Sequence, residues 1–212
     1  MEAFVQRLLV CVLALFLTGC ASQLRTDYAG QDAGMVAVGI GTHPRSLYDR
    51  FTLLFREAGG TAEKKGEEGW LSYYRGGFTR PKHDYENKEE VGVVVMASLP
   101  PGKYEVHNFS AYFNAGTGTS TFSSREPFSI PFTVVPGQVT YLGNYEAVDV
   151  KGRNFIGMPV MAGVYFVVQD KQERDIEALR KRMPNLPSQT INAVPDVQQL
   201  NNPFFLPARR PE

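Results

Sequence analysis

The chain has almost no cysteine: Cys11 and Cys20 are the only two in 212 residues. A disulfide framework is therefore excluded as the means of holding the fold. Histidine is scarce too. His43, His83 and His107 stand in three separate places, none at the i, i+4 or Cys-paired spacing that metal sites use. Net charge is missing, with 22 Lys+Arg against 22 Asp+Glu. That balance supplies neither the basic stripe of a nucleic-acid binder nor electrostatic capture by anionic lipid. The sequence also lacks a Gly-x-Ser-x-Gly elbow, a glycine-rich phosphate loop and a His-Glu-x-x-His pair, so no familiar catalytic motif is present. Long apolar runs are absent except for Leu8 to Leu17, which is shorter than the roughly 20 residues a membrane span needs.

That run is the first thing present. Arg7 precedes it, and Leu17-Thr18-Gly19-Cys20-Ala21-Ser22 follows it, the pattern of a secretory signal core ending in small residues. Small Thr18 and Gly19 let the backbone enter a peptidase site, and the Cys20 thiol is a nucleophile able to accept an acylglyceryl group. Leu17-Thr18-Gly19-Cys20 resembles the lipobox of bacterial lipoproteins. The resemblance implies removal of residues 1–19 and a diacylglyceryl group on Cys20 as membrane anchor, with no other cofactor. With Ala21 rather than Asp after the cysteine, it also implies export to the outer membrane of a Gram-negative cell, the domain facing the periplasm. Residues 20–34 are small and polar, the composition of a tether.

From residue 35 to residue 169 the pattern has period two, with turn residues between runs. Met35 to Ile40 is a short apolar run that fits a buried strand. Phe51, Leu53 and Phe55 share one parity, and Arg50, Thr52 and Arg56 the other, which predicts one dry and one wet face. Val91 to Ala97 predicts a central strand. Pro100-Pro101-Gly102 and Val135-Pro136-Gly137 predict sharp turns, because proline fixes φ and glycine supplies the positive φ after it. Asn114 to Arg125 predicts a Gly/Ser/Thr loop. Phe128, Ile130, Phe132 and Val134 alternate with Ser129, Pro131 and Thr133, and Pro131 marks an edge strand. Over residues 170–184 the period changes to that of a helix. Asp170-x-x-Glu173 has the form of a capping box, Ile176, Leu179 and Met183 share a face, and Glu177 pairs with Lys181. Residues 185–212 carry five prolines and predict an extended tail, laid against the domain through Leu200, Phe204, Phe205 and Leu206.

An apolar strand, then Leu99-Pro100-Pro101-Gly102-Lys103-Tyr104, then Val135-Pro136-Gly137-Gln138-Val139-Thr140-Tyr141-Leu142-Gly143, resembles the transthyretin-like or carboxypeptidase-regulatory-like domains of many bacterial lipoproteins. The resemblance covers residues 91 to 145. It implies a mainly β fold, a transthyretin/immunoglobulin-like antiparallel β-sandwich, here followed by one amphipathic helix and a Pro-rich tail.

The best candidate for function is the aromatic stretch Trp70, Tyr73, Tyr74 and Phe78. Flat apolar bodies with polar tips suit stacking on sugar rings or filling a protein interface. They equally suit a sandwich core, and the even spread of aromatics along the chain favours the core for most of them. No catalytic or metal-ligating set is expected; His83-Asp84-Tyr85-Glu86 is the nearest approach to one. The reading is a membrane-anchored, non-catalytic binding or assembly module of the cell envelope. Its partner would be another envelope protein, or alternatively a glycan such as peptidoglycan, with an envelope enzyme as a third reading.

Overall fold

A computed structural model describes residues 24, 26–59, 68–76, 82–114, 116 and 118–208. The signal segment, Cys20 and Phe78 lie outside the described residues. Twelve strands are present: β1 (Gly34–Thr42), β2 (Arg50–Glu57), β3 (Gly69–Tyr74), β4 (Tyr85–Glu86), β5 (Val91–Leu99), β6 (Gly102–Asn114), β7 (Thr119–Ser123), β8 (Ile130–Val134), β9 (Val139–Arg153), β10 (Pro159–Gln169), β11 (Thr190–Asn192) and β12 (Phe205–Pro207). Two helices, α1 (Gln172–Arg182) and α2 (Val197–Leu200), fall between the last strands.

The strands form two packed sheets, so the fold is mainly β. The first sheet runs β12-β10-β9-β1-β5-β4 and the second runs β3-β2-β6-β7. Each is organised around one long strand with one flank shared end to end by two others. β6 pairs β8 at Gly102–Val106 and β7 at Ser110–Asn114. β9 pairs β11 at Val139–Tyr141 and β10 from Asn144 onward. Not every pairing is antiparallel. β1 lies parallel to β9, with Met35 opposite Val139 and Thr42 opposite Ala147, and β11 and β12 also join in parallel.

The core is what the alternating pattern dictates. Phe51, Leu53 and Phe55 of β2 and Val106 and Phe109 of β6 face Val36, Val38 and Ile40 of β1, all fully buried. Phe109 meets Phe166 with ring centroids 4.0 Å apart and stacks on Tyr145 at 5.3 Å. Each such ring removes roughly 150–250 Å² from water. Tyr104, in the strand after the first proline–glycine turn, stacks on Phe132 and donates its hydroxyl to the Pro100 carbonyl at 2.9 Å, closing the turn. In the second turn Gly137 takes φ +65°, as its residue type predicts, whereas Gly102 of the first turn takes no positive φ because it is already the first residue of β6.

β1 is buried on both faces, which is why it reads as a continuous apolar run rather than an alternation. Its second face meets α1, where Ile176 and Leu179 pack on Ala37, Val94, Val139 and Tyr141. The expected Glu177–Lys181 pair forms at 2.7 Å. The expected capping box does not. Helix α1 begins after Lys171 with no side-chain cap; Asp170 accepts from the Gln172 amide one position early and from the Asn192 side chain.

Three further expectations change. Residues 119–123 are a strand and not loop, because their backbone pairs with the end of β6 although they carry only Phe122 as an apolar residue. The stretch before β1 is held against the first sheet: Thr26 accepts from the Ser98 amide, the Tyr28 amide donates to Ser98 O, and Leu24 packs on the core. Val91–Leu99 is buried as a central strand should be, but one edge is paired, among the described residues, with no full strand: the two residues of β4, Thr26–Tyr28, Asp84 and the Arg182 side chain cover it.

Candidate binding face

Strand β3 sorts the aromatic candidates by parity. Tyr73 is 1% exposed and points into the core, packing on Phe51 and edge-on against His83. Burial pushes its hydroxyl pKa up to about 12. Tyr73 is therefore a core residue and not part of a surface. Trp70 and Tyr74 point the other way, 45% and 53% exposed.

The register assembles a face around those two. Across β3, β2, β6 and β7, one row reads Tyr74, Arg50, Tyr112, Thr121. The next reads Ser72, Thr52, Ser110, Ser123, and a third Trp70, Leu54, Asn108. Directly opposed residues in a sheet share a face, so these rows are the outer surface of the second sheet. The Arg50 guanidinium lies 5.0 Å from the Tyr112 ring centre and 5.6 Å from that of Tyr74, holding both rings by cation–π contact. Thr52 and Ser72 share a hydrogen bond of 3.0 Å. The face thus alternates an aromatic–cation row with a row of hydroxyls. Trp70 and Tyr74 are four residues apart, roughly 13 Å at about 3.3 Å per residue.

Two open concavities meet at Tyr74. A groove of about 730 Å³ runs between the edges of β3 and β5, lined by Trp70, Tyr74, Val95, Met96, Lys82 and Arg182 among others. A second, of about 460 Å³, is bounded by Asp49, Arg50, Tyr74, Tyr112 and Asn114. Asp49 is fixed there, accepting from the Arg75 and Gly76 amides through its carbonyl and from the Asn114 amide through its carboxylate.

A buried polar cluster lies on the opposite side of the molecule, beneath α1. Asp175, fully buried, accepts from the Tyr141 hydroxyl at 2.7 Å and from Arg174 Nε at 2.8 Å. Glu90, 6% exposed, accepts from Lys171 Nζ and Arg174 Nη1, each at 2.9 Å. Asn144 joins the two halves. In the amide orientation that satisfies both its ends, its oxygen accepts from Tyr85 (2.8 Å) and Arg174 Nη2 (2.9 Å), and its nitrogen donates to Glu90 (3.2 Å). The Arg174 guanidinium also lies 3.6 Å from the Tyr85 ring centre. Glycine makes the room: a Cβ on Gly39 would overlap Asp175 and Asn144, and one on Gly92 would overlap Tyr85. Burial raises the pKa of Asp175 against the pull of Tyr141 and Arg174, and burial raises those of Tyr85 and Tyr141 still further from their ordinary range. Every group here is spent on another group of the cluster, which makes it a latch for the helix rather than a site awaiting substrate.

The histidines are engaged locally. His83 Nδ1 is 3.2 Å from Glu86, His107 Nε2 is 3.3 Å from Glu68, and His43 Nδ1 accepts from the Arg45 amide. Burial lowers the His107 pKa. Among the described residues no group of three or more His, Cys, Asp or Glu is placed to hold a metal ion, and no helix is long and apolar enough to cross a membrane.

Sequence patterning pointed to Trp70 and Tyr74 but missed Arg50 and Tyr112, which become their neighbours only through strand register. The wet parity of Arg50 and Thr52 was the available signal. For the polar cluster it was Gly39 and Gly41 inside an apolar strand, where glycine marks the close approach of another group.

No family model matches the chain, and no curated protein matches it. Among solved structures, a leucine-rich repeat protein from Bacteroides thetaiotaomicron is similar over 55% of this chain at 16% identity, with a TM-score of 0.31. The chain spans 14% of that protein's length, and a likeness this slight carries no argument.

Proposed function

We propose that this protein is a non-catalytic binding module of the bacterial cell envelope, lipid-anchored through Cys20 and facing the periplasm from the outer membrane, with the outer face of the second sheet as its binding surface. The observation that carries the proposal is the exposed Trp70–Tyr74 pair set beside the Arg50–Tyr112 row on a rigid sheet. Large rings held in place lose little entropy on binding, and they concentrate contact energy in a few side chains. The transthyretin-like form of the sandwich belongs to the same proposal. It is supported by the place of the two proline–glycine turns, each opening a core strand, and by the Tyr104–Pro100 hydrogen bond.

One observation favours a glycan as the ligand over a protein. The hydroxyl row Ser72–Thr52–Ser110–Ser123 runs beside the aromatic row, so ring faces and hydrogen-bonding groups stand next to each other, the two kinds of contact a polyhydroxylated chain offers. Protein interfaces are depleted in serine, and three of the four residues in this row are serines. Trp70→Ala and Tyr74→Ala are each expected to weaken binding of solubilised peptidoglycan fragments or envelope polysaccharide by about tenfold, the loss of roughly 1.4 kcal/mol, read by titration calorimetry because Trp70 is the chain's single tryptophan. Both side chains are exposed, so thermal stability should hold. If neither change moves the affinity for any envelope glycan, but crosslinks from these positions trap one envelope protein, the ligand is that protein and the assembly reading stands.

The anchor has its own test. Cys20→Ala should abolish metabolic acyl labelling and leave the signal segment uncleaved by the lipoprotein route. Unchanged labelling would remove the anchor from the proposal without touching the binding face.

A further inference from the structure

Among the described residues the β9–β10 hairpin carries the two most exposed large apolar side chains, Phe155 and Ile156, and neither the core nor the binding face uses them. Strand β1 ends opposite Ala147. The segment after it holds the hairpin a little further, with Ser46 Oγ donating to Asp149 at 2.7 Å and the Tyr48 hydroxyl donating to the Gly163 carbonyl at 2.6 Å. Beyond that point β9 and β10 continue as a two-stranded ribbon. Its tip presents Phe155 at 99% exposure, Ile156 at 61%, Met158 at 53% and Val160 at 41%. From Ala147 to Phe155 the ribbon covers roughly 25 Å at about 3.3 Å per residue.

We infer that this tip enters the interface of a phospholipid bilayer, with Phe155, Ile156 and Met158 among the upper acyl chains and Lys151 and Arg153 at anionic headgroups. The order of residues along the ribbon matches the order of layers in a membrane surface. Apolar groups occupy the apex, and the two cations are set back by two to four residues, roughly 7–13 Å. Interfacial segments bury their apolar side chains about 5–10 Å deep and take cations at that boundary. No acidic residue occurs from Val150 to Val160, and Asp149, just behind, is engaged by Ser46 and the Leu47 amide.

The backbone of the tip is also prepared for an apolar medium, where an unpaired amide costs several kcal/mol. The Asn154 amide donates to Met158 O, and the Gly157 amide to Asn154 O. The Ile156 and Met158 amides both donate to the Asn154 side-chain oxygen, at 3.1 and 2.9 Å, and Arg153 donates to the Gly157 carbonyl at 2.9 Å. Gly157 takes φ +81° to close the turn. Four of the five amides from Asn154 to Met158 thus have partners within the turn. The convex apex with radiating side chains has the shape of a wedge, and its basic collar, local in a chain of zero net charge, makes an anionic lipid surface its complement.

The test places a reporter at the apex. Trp70→Phe combined with Phe155→Trp leaves one tryptophan, at 155, in a protein whose fold the apex does not touch. The full chain is reconstituted in phosphatidylethanolamine/phosphatidylglycerol vesicles whose acyl chains are brominated near the glycerol end. Emission from Trp at 155 should shift to the blue and fall roughly by half against unbrominated vesicles, as expected for interfacial depth. Lys151→Glu with Arg153→Glu should abolish most of that quenching while the unfolding midpoint stays put. Emission that ignores the brominated lipid overturns the inference, and emission that shifts only on adding an outer-membrane protein gives the tip to a protein pocket instead. The reading is independent of the anchor and of the glycan face: the Cys20→Ala form of the same protein, mixed with the same vesicles, should give the same signal.

Discussion

Replacing Asp175 with alanine should lower the stability of the fold by about 3–5 kcal/mol, the cost of breaking a buried ion pair from one side. Asp175 is the acceptor for the Tyr141 hydroxyl and for Arg174. Its loss strands a buried hydroxyl under the helix and leaves Arg174 to Glu90 and Asn144 alone. Asp175→Asn keeps an acceptor of the same shape for Tyr141 and should cost about a third as much, in the range of one hydrogen bond. Denaturant titration of the three proteins decides it. If alanine costs no more than asparagine, the cluster does not latch the helix.

The same pair of proteins carries a pH signature with a definite sign. Burial raises the Asp175 pKa above its unfolded value of 3.8, so the native state holds this proton more tightly than the unfolded chain does. Asp175 therefore favours the fold below that unfolded value, and its contribution declines as pH rises through the native pKa. Subtracting the stability of Asp175→Asn from that of the parent cancels other titrations, including Glu146, which burial also raises, and Glu105, which Ser129 and Arg56 lower. The difference should favour the parent more at pH 4 than at pH 7. A difference that grows toward neutral pH would mean that Arg174 and Tyr141 outweigh the burial of the charge.

What the sequence made legible follows from how far each signal reaches. The parity of Phe51, Leu53 and Phe55 is local, and it placed β2 and its dry face correctly. The two proline–glycine turns are local as well, and both strands they open are present. Trp70 and Tyr74 were visible as residues, but their parity was not separated from that of Tyr73 until β3 had a partner. Register is a property of two strands, so the row that joins Arg50 to Tyr74 and Tyr112 has no signature in any one of them. The cluster under α1 is less legible still: its members come from β4, the residue before β5, β9, the residue before α1 and the helix itself, and only the glycines that clear space for it stand out in the sequence. Strand β7 was invisible because four polar residues and Phe122, preceded by Gly118, borrow their structure from the end of β6.

The C-terminal segment shows the same limit with the greatest consequence for experiment. Its prolines and lack of periodicity read as an extended tail laid against the domain, an addition to the sandwich rather than part of either sheet. The structure makes it part of the first sheet. Thr190–Asn192 pairs with the start of β9, and Phe205–Pro207 adds the strand beyond β10. Phe204 and Phe205 are 8% and 2% exposed and pack on Phe166, Phe128 and Tyr145, while Val197 of α2 joins the same core. The prolines fall at Pro195, Pro203 and Pro207, where the chain turns or ends a short edge strand and needs no donor. Phe205→Ala should therefore cost about 3–5 kcal/mol, the range for emptying a buried aromatic site, and ending the chain at Ser188 should leave no cooperative unfolding transition at all. Leu206→Ala, at a side chain 41% exposed in the same strand, should cost under about 1 kcal/mol. A truncated chain that still melts cooperatively near the parent's midpoint would return these residues to the status of an appendage and make them available to a partner.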